Sequence, residues 1–71
     1  MSKEVMEYIV YMIHACAKKW RKSPKTVYGI LNAANCIELY LTPHFDVLHT
    51  QSTECVVEDI EQYVGFKGDK A

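Results

Sequence analysis

Paired cysteines, long apolar runs, glycine-rich loops and an excess of one charge are all missing from this chain, and each absence removes a class of protein. The three cysteines, Cys16, Cys36 and Cys55, are odd in number and widely spaced, which excludes a disulfide framework and a Cys-x-x-Cys metal knuckle. Each is flanked by ordinary core or helix residues and reads as a small buried apolar side chain in a reducing compartment. The longest unbroken apolar stretch, Tyr8 to Ile13, is far short of the ~20 residues of a membrane span. Met1-Ser2-Lys3-Glu4 leads straight into a helical pattern with none of the segments of a secretion signal, so the expectation is a cytoplasmic protein that makes no use of a membrane. A formal net charge of −1 and a pI near 6.3 leave no whole-molecule field to draw in phosphate.

What is present is globular. Nearly half of the 71 residues are apolar and about a quarter charged, which suits one small core rather than a disordered chain. The expected organisation is a single helical domain over residues 3–66 with a flexible tail over 67–71.

The fold class expected is all-α, a small bundle of three to four helices with a short extended segment before the last helix. The first helix, from Lys3 to about Arg21, places Val5, Met6, Ile9, Val10, Met12, Ile13, Cys16, Ala17 and Trp20 on one side at ~100° per residue. Glu4, Glu7, His14, Lys18 and Arg21 fall on the other. Tyr8, Tyr11 and Ala15 lie on the polar side as a strip expected to be exposed, and two adjacent tyrosines there suggest an interface, because aromatic residues are enriched where proteins meet. Ser23-Pro24 starts a second helix to about Ala34 as N-cap and first residue. Gly29, in its middle, either weakens it or admits a close neighbour. Asn35 and Glu38 have the spacing of a capping box for a short third helix that must end near Thr42, before Pro43. His44 to His49 alternates polar with apolar residues and is expected to be extended, with Phe45, Val47 and Leu48 anchoring it and Asp46 accepting backbone N–H bonds. Thr50 or Ser52 caps the last helix, which buries Val56, Val57, Ile60 and Val64 and ends at Gly65 in a left-handed cap with Phe66 folded back. The core is expected to include Ile9, Ile13, Trp20, Ile30, Leu31, Leu48, Ile60 and Val64.

No arrangement of residues amounts to an identifiable chemistry. His14, His44 and His49 with the cysteines lack metal-ligand spacing, and Asp46 with His49 has neither a nucleophile nor a pocket-forming partner. The expectation is therefore no enzyme, no cofactor, no metal and no small-molecule substrate. Lys18, Lys19, Arg21, Lys22 and Lys25 form one basic cluster, which supports a nucleic-acid-binding regulator as the alternative reading. Against it, Cys36 to Leu41, where a DNA-reading helix would fall, lacks the Arg, Asn or Gln that read base edges. A solvated helix end that complements the helix dipole explains the cluster more simply.

Three stretches carry a family resemblance: Ser23-Pro24-Lys25-Thr26-Val27-Tyr28-Gly29-Ile30-Leu31-Asn32, Tyr40-Leu41-Thr42-Pro43-His44-Phe45-Asp46-Val47-Leu48-His49-Thr50-Gln51, and Val57-Glu58-Asp59-Ile60. They resemble a family of short bacterial proteins labelled domain of unknown function 3791, over nearly the whole chain. Phe45, where Tyr is common, and Cys55, where an aromatic is common, are mild departures from it. The resemblance implies no chemistry. The toxin-like proteins often encoded beside such genes imply an antitoxin-like or accessory binding role. The most economical reading is a non-catalytic module for a protein partner or a second copy of itself, with Tyr8, Tyr11, Ala15, Phe45, Asp46 and His49 as the residues that meet it.

Overall fold

A computed structural model describes residues 2–66; the expected flexible tail over 67–71 lies outside them. The described residues form helices joined by short turns, and no strand forms among them. Helix α1 spans Lys3–Trp20, α2 Pro24–Ala33, a π-helical turn Ile37–Leu41, α3 Phe45–Leu48 and α4 Thr53–Val64.

Local chemistry sets most of the helix ends. Ser2, Ser23 and Ser52 each sit in extended backbone and accept a hydrogen bond from the N–H three residues on, those of Val5, Thr26 and Cys55, satisfying donors that a helix start leaves open. Gly65, at φ 72°, ends α4: its N–H donates to the Gln62 carbonyl at 3.4 Å and that of Phe66 to the Glu61 carbonyl at 3.0 Å, the two bonds of a Schellman motif. Helix α1 ends in the same manner on Arg21, also left-handed at φ 58°, with Lys22 N–H reaching the Ala17 carbonyl at 3.1 Å.

Two local expectations fail. Asn35 is left-handed at φ 58° and its side chain caps nothing, so the capping box with Glu38 does not form; its carbonyl instead accepts from Leu39 N–H. Left-handed backbone is where Asn is tolerated best after Gly. His44 to His49 is not extended. Val47, Leu48 and His49 N–H groups bond back to the carbonyls of His44 and Phe45, closing the single turn α3. In that turn Leu48 is buried in the core while Phe45, three residues before it, packs on Tyr8 of α1, a spacing that alternation over six residues cannot tell from a strand. Val47 is left 58% exposed and anchors nothing.

The core is one cluster. Ile9, Met12, Ile13, Cys16, Ala17 and Trp20 of α1 meet Val27 and Leu31 of α2, Cys36, Ile37 and Leu41 of the π-turn, Leu48 of α3, and Val56, Val57 and Ile60 of α4. Ile30 and Val64 pack at its edge, half-buried. Met6 and Val10, expected in the buried stripe, are 53% and 47% exposed. The covered face of α1 is rotated toward Tyr8 and Ala15, which pack against the core from the side expected to be solvated.

Helix α4 lies parallel to α1. Tyr11 Oη and Thr53 Oγ1 are 2.7 Å apart, and Lys19 Nζ lies 3.1 Å from Glu61 Oε2, each pair separated by 42 residues. Two contacts with the same offset at opposite ends fix both direction and register.

The two glycines among the described residues give stability changes of opposite sign. A Cβ on Gly29 would meet nothing within 4 Å and its backbone is helical, so Gly29→Ala should stabilise by roughly 0.5–1 kcal/mol. Gly65 has equal space but a positive φ, so Gly65→Ala should destabilise by about 1 kcal/mol through the backbone alone. Urea denaturation midpoints that shift in the same direction for both would contradict these assignments.

Candidate functional site

The six residues expected to meet a partner fall into two groups on adjoining parts of the surface. Tyr8 is half-buried and packs edge-on against Phe45, ring centroids 5.4 Å apart at 70°, and Phe45 stacks on His49 at 4.7 Å and 20°. These three rings join α1 to α3. Asp46 is exposed in the first turn of α3 and makes no hydrogen bond among the described residues, so the expected backbone bonds to it are absent. The strip Tyr8, Tyr11, Ala15 is not uniformly exposed as expected: Tyr8 and Ala15 belong to the intramolecular packing, and Tyr11 alone stands out, 54% exposed. Tyr11 is nonetheless held, because its hydroxyl shares a hydrogen bond with Thr53.

Tyr11 and Ala15 line an open groove of about 880 Å³ between α1 and α4. Its α1 wall is Tyr11, His14, Ala15, Lys18 and Lys19, and its α4 wall is Thr53, Glu54, Val57 and Glu58. The Tyr11–Thr53 hydrogen bond closes one end and the Lys19–Glu61 ion pair the other, so the groove runs for roughly eight residues, about 12 Å at helical rise. Half-buried Ala15 and buried Val57 leave an apolar floor. The rims differ in charge. His14 and Lys18, one helical turn apart, stand exposed on the α1 side; Glu54 and Glu58, with the same spacing, stand exposed on the α4 side. Lys18, Glu54 and Glu58 take no ion-pair partner among the described residues. His14 Nδ1 lies 2.9 Å from the Val10 carbonyl, which can only accept, so Nδ1 carries a proton and the ring is tethered to its own helix.

The acidic rim was not visible to sequence reasoning as part of a site, although Glu54 and Glu58 at i and i+4 beside a buried Val57 carry the signal. Lys18 was grouped with the basic cluster instead. Two of that cluster's five members are engaged within the fold: Lys19 pairs with Glu61, and Lys22 Nζ lies 5.9 Å above the Phe66 ring.

Burial governs the titration of the interior groups. It pushes the Cys16 thiol up from 9.0 to about 12, with neighbouring Glu61 and Cys36 adding to the effect, and Cys36 up to about 11. Both thiols therefore stay protonated at neutral pH and lack the thiolate that nucleophilic chemistry needs. No group of three or more His, Cys, Asp or Glu side chains is placed to hold a metal among the described residues. Tyr8 is raised from 10.0 to about 12 by burial and then by Tyr40 and Tyr11, and its hydroxyl is buried without a hydrogen-bond partner. Burial also raises Tyr40, whose hydroxyl donates to Asp59 Oδ2 at 3.4 Å.

These shifts predict an alkaline weakness. In each case the folded state keeps a proton that the unfolded chain releases at lower pH, so the contribution is intact below pH 9–10 and is lost as pH rises toward about 11–12. Thermal unfolding temperature should fall between pH 9 and pH 12, and Tyr8→Phe should remove part of that fall. At pH 7 the same variant deletes an unpaired buried hydroxyl and should gain up to ~1 kcal/mol. A loss of more than ~1 kcal/mol would show that the hydroxyl has a partner.

Among the described residues no helix is long and apolar enough to cross a membrane. Comparison with curated proteins and with solved structures finds no match to either. A sequence profile of the family described as "Protein of unknown function (DUF3791)" matches residues 7–66. That span takes in all of the core from Ile9 to Ile60, the aromatic stack and both walls of the groove, and the chain belongs to this family.

Proposed function

We propose that the protein is a non-catalytic interaction module, cytoplasmic, whose partner docks in the groove between α1 and α4. The observation that carries this reading is a rigidly held but exposed Tyr11 at the head of an apolar-floored groove with rims of opposite charge. An aromatic side chain fixed by a hydrogen bond contributes contact area with little loss of rotational freedom, and oppositely charged rims orient whatever enters. An antitoxin-like or accessory role, implied by the family resemblance, would be one use of such a module. Nucleic-acid binding is the weaker reading, because Glu54 and Glu58 face the groove beside Lys18, while Lys19 and Lys22 are occupied within the fold.

A photo-reactive phenylalanine analogue placed at Tyr11 or Lys18 in cells should cross-link to one predominant protein, whereas the same analogue at Tyr28, half-exposed on α2 and outside the groove, should not. Tyr11→Ser should weaken binding of that protein about thirtyfold, the effect of an anchor residue worth ~2 kcal/mol. Equal labelling from all three positions would remove the groove as the docking site.

A further inference from the structure

We infer that the groove's occupant is a second copy of this chain, related by a two-fold axis parallel to α1 and α4. The inference rests on the interaction reading above and adds the identity of the partner. Its basis is the placement of charge on the two rims. Exposed Lys18 lies on one side and exposed Glu54 and Glu58, spaced by four residues, on the other, and none of the three has an ion-pair partner among the described residues.

The register decides which symmetry these charges satisfy. Residue i of α1 stands level with residue i+42 of α4, as the Tyr11–Thr53 and Lys19–Glu61 contacts show. A two-fold axis along the helices keeps these levels and exchanges the sides, so α1 of one copy faces α4 of the other. Lys18 then comes level with position 60, two residues and about 3 Å from Glu58. Each contact occurs twice, as an isologous interface requires. A two-fold axis across the helices would instead place basic rim on basic rim and acidic on acidic, which like-charge repulsion opposes. Tyr11, the only bulky exposed apolar side chain among those lining the groove, supplies the filling between the two faces. The interface also answers a need of size, since a chain of 71 residues without disulfides buries a small core and small domains of this kind commonly lean on another subunit.

Charge reversal tests this arrangement, with all substituted residues exposed and outside the core. The wild-type chain should sediment as a dimer. Lys18→Glu alone and Glu58→Lys alone should each weaken self-association by about tenfold or more, because each homodimer then carries two like-charge contacts. Mixing the two variants should restore a one-to-one dimer, since Glu at 18 of one copy meets Lys at 58 of the other, and the untouched Lys18 and Glu58 meet as before. The double variant Lys18→Glu, Glu58→Lys should also dimerise. Circular dichroism confirms that each variant is folded before it is scored. A dimer unaffected by either single change, or single variants that stay monomeric when mixed, would overturn the inference. A monomeric wild type would also overturn it. In that case, a different protein cross-linked at Tyr11 and released by the same charge reversals would leave the interaction reading standing, while no cross-linked protein at all would remove both.

Discussion

Trp20 cannot be buried without an acceptor for its indole N–H, and Glu61 supplies one. Trp20 is 3% exposed at the last turn of α1, and its Nε1–H donates to Glu61 Oε2 at 2.7 Å from the far end of α4. The acceptor is a carboxylate, partly shielded from water and held by Lys19 at 3.1 Å, so the bond is charge-assisted and of the stronger kind. Phe66 completes the arrangement. The Schellman motif at Gly65 turns the chain so that Phe66 stacks on Trp20, centroids 4.2 Å apart at 24°. Backbone geometry at the end of α4 thereby covers the indole whose hydrogen bond positions α4.

This contact at one end and the Tyr11–Thr53 bond at the other set the parallel order of α1 and α4, and the groove follows from the order. Two helices side by side in the same direction need a crossover between them, and α2, the π-turn and α3 provide it without lending a residue to the groove lining. The crossover is tied down by its own aromatic contacts. Tyr40 stacks on Tyr63 of α4 at 5.2 Å and hydrogen-bonds Asp59, while Phe45 closes on Tyr8 of α1. Among the described residues no third helix lines the groove side of the α1–α4 pair. The open groove is that uncovered side, and its charged rims are the outward residues of two amphipathic helices brought level by a single register.

Most helix ends encoded by a few adjacent residues were readable in the sequence, the Asn35–Glu38 capping box being an exception, and features decided by distant parts of the chain were not. Ser23-Pro24, Ser52 and Gly65-Phe66 each announce a helix end because the bonds that form there lie within one turn. The helical class and most of the central core were readable for the same reason: Ile9, Ile13 and Trp20 of α1, Leu31 of α2 and Ile60 of α4 lie on stripes of helical spacing and all are buried. The flank of α1 that is covered was not readable. Met6 and Val10 flank the apolar stripe on one edge and Tyr8 and Ala15 on the other, and the positions of α3 and α4 settle which pair is packed. The segment from His44 to His49 misled because one helical turn is too short to show a period. As for the candidate site, Tyr11 and Ala15 were identified from their neighbourhood on α1, but Glu54 and Glu58 become their counterparts only through the 42-residue register, which no local pattern carries.

That register is the claim on which the groove and its occupant depend, and nuclear Overhauser contacts measure it directly. The account predicts that the Tyr11 ring shows cross-peaks to the Thr53 methyl group while the Trp20 indole N–H shows them to the Glu61 methylenes, both in the same folded species. Contacts from Trp20 to Thr53, or from Tyr11 to Glu61, would place α4 in the opposite direction and contradict it.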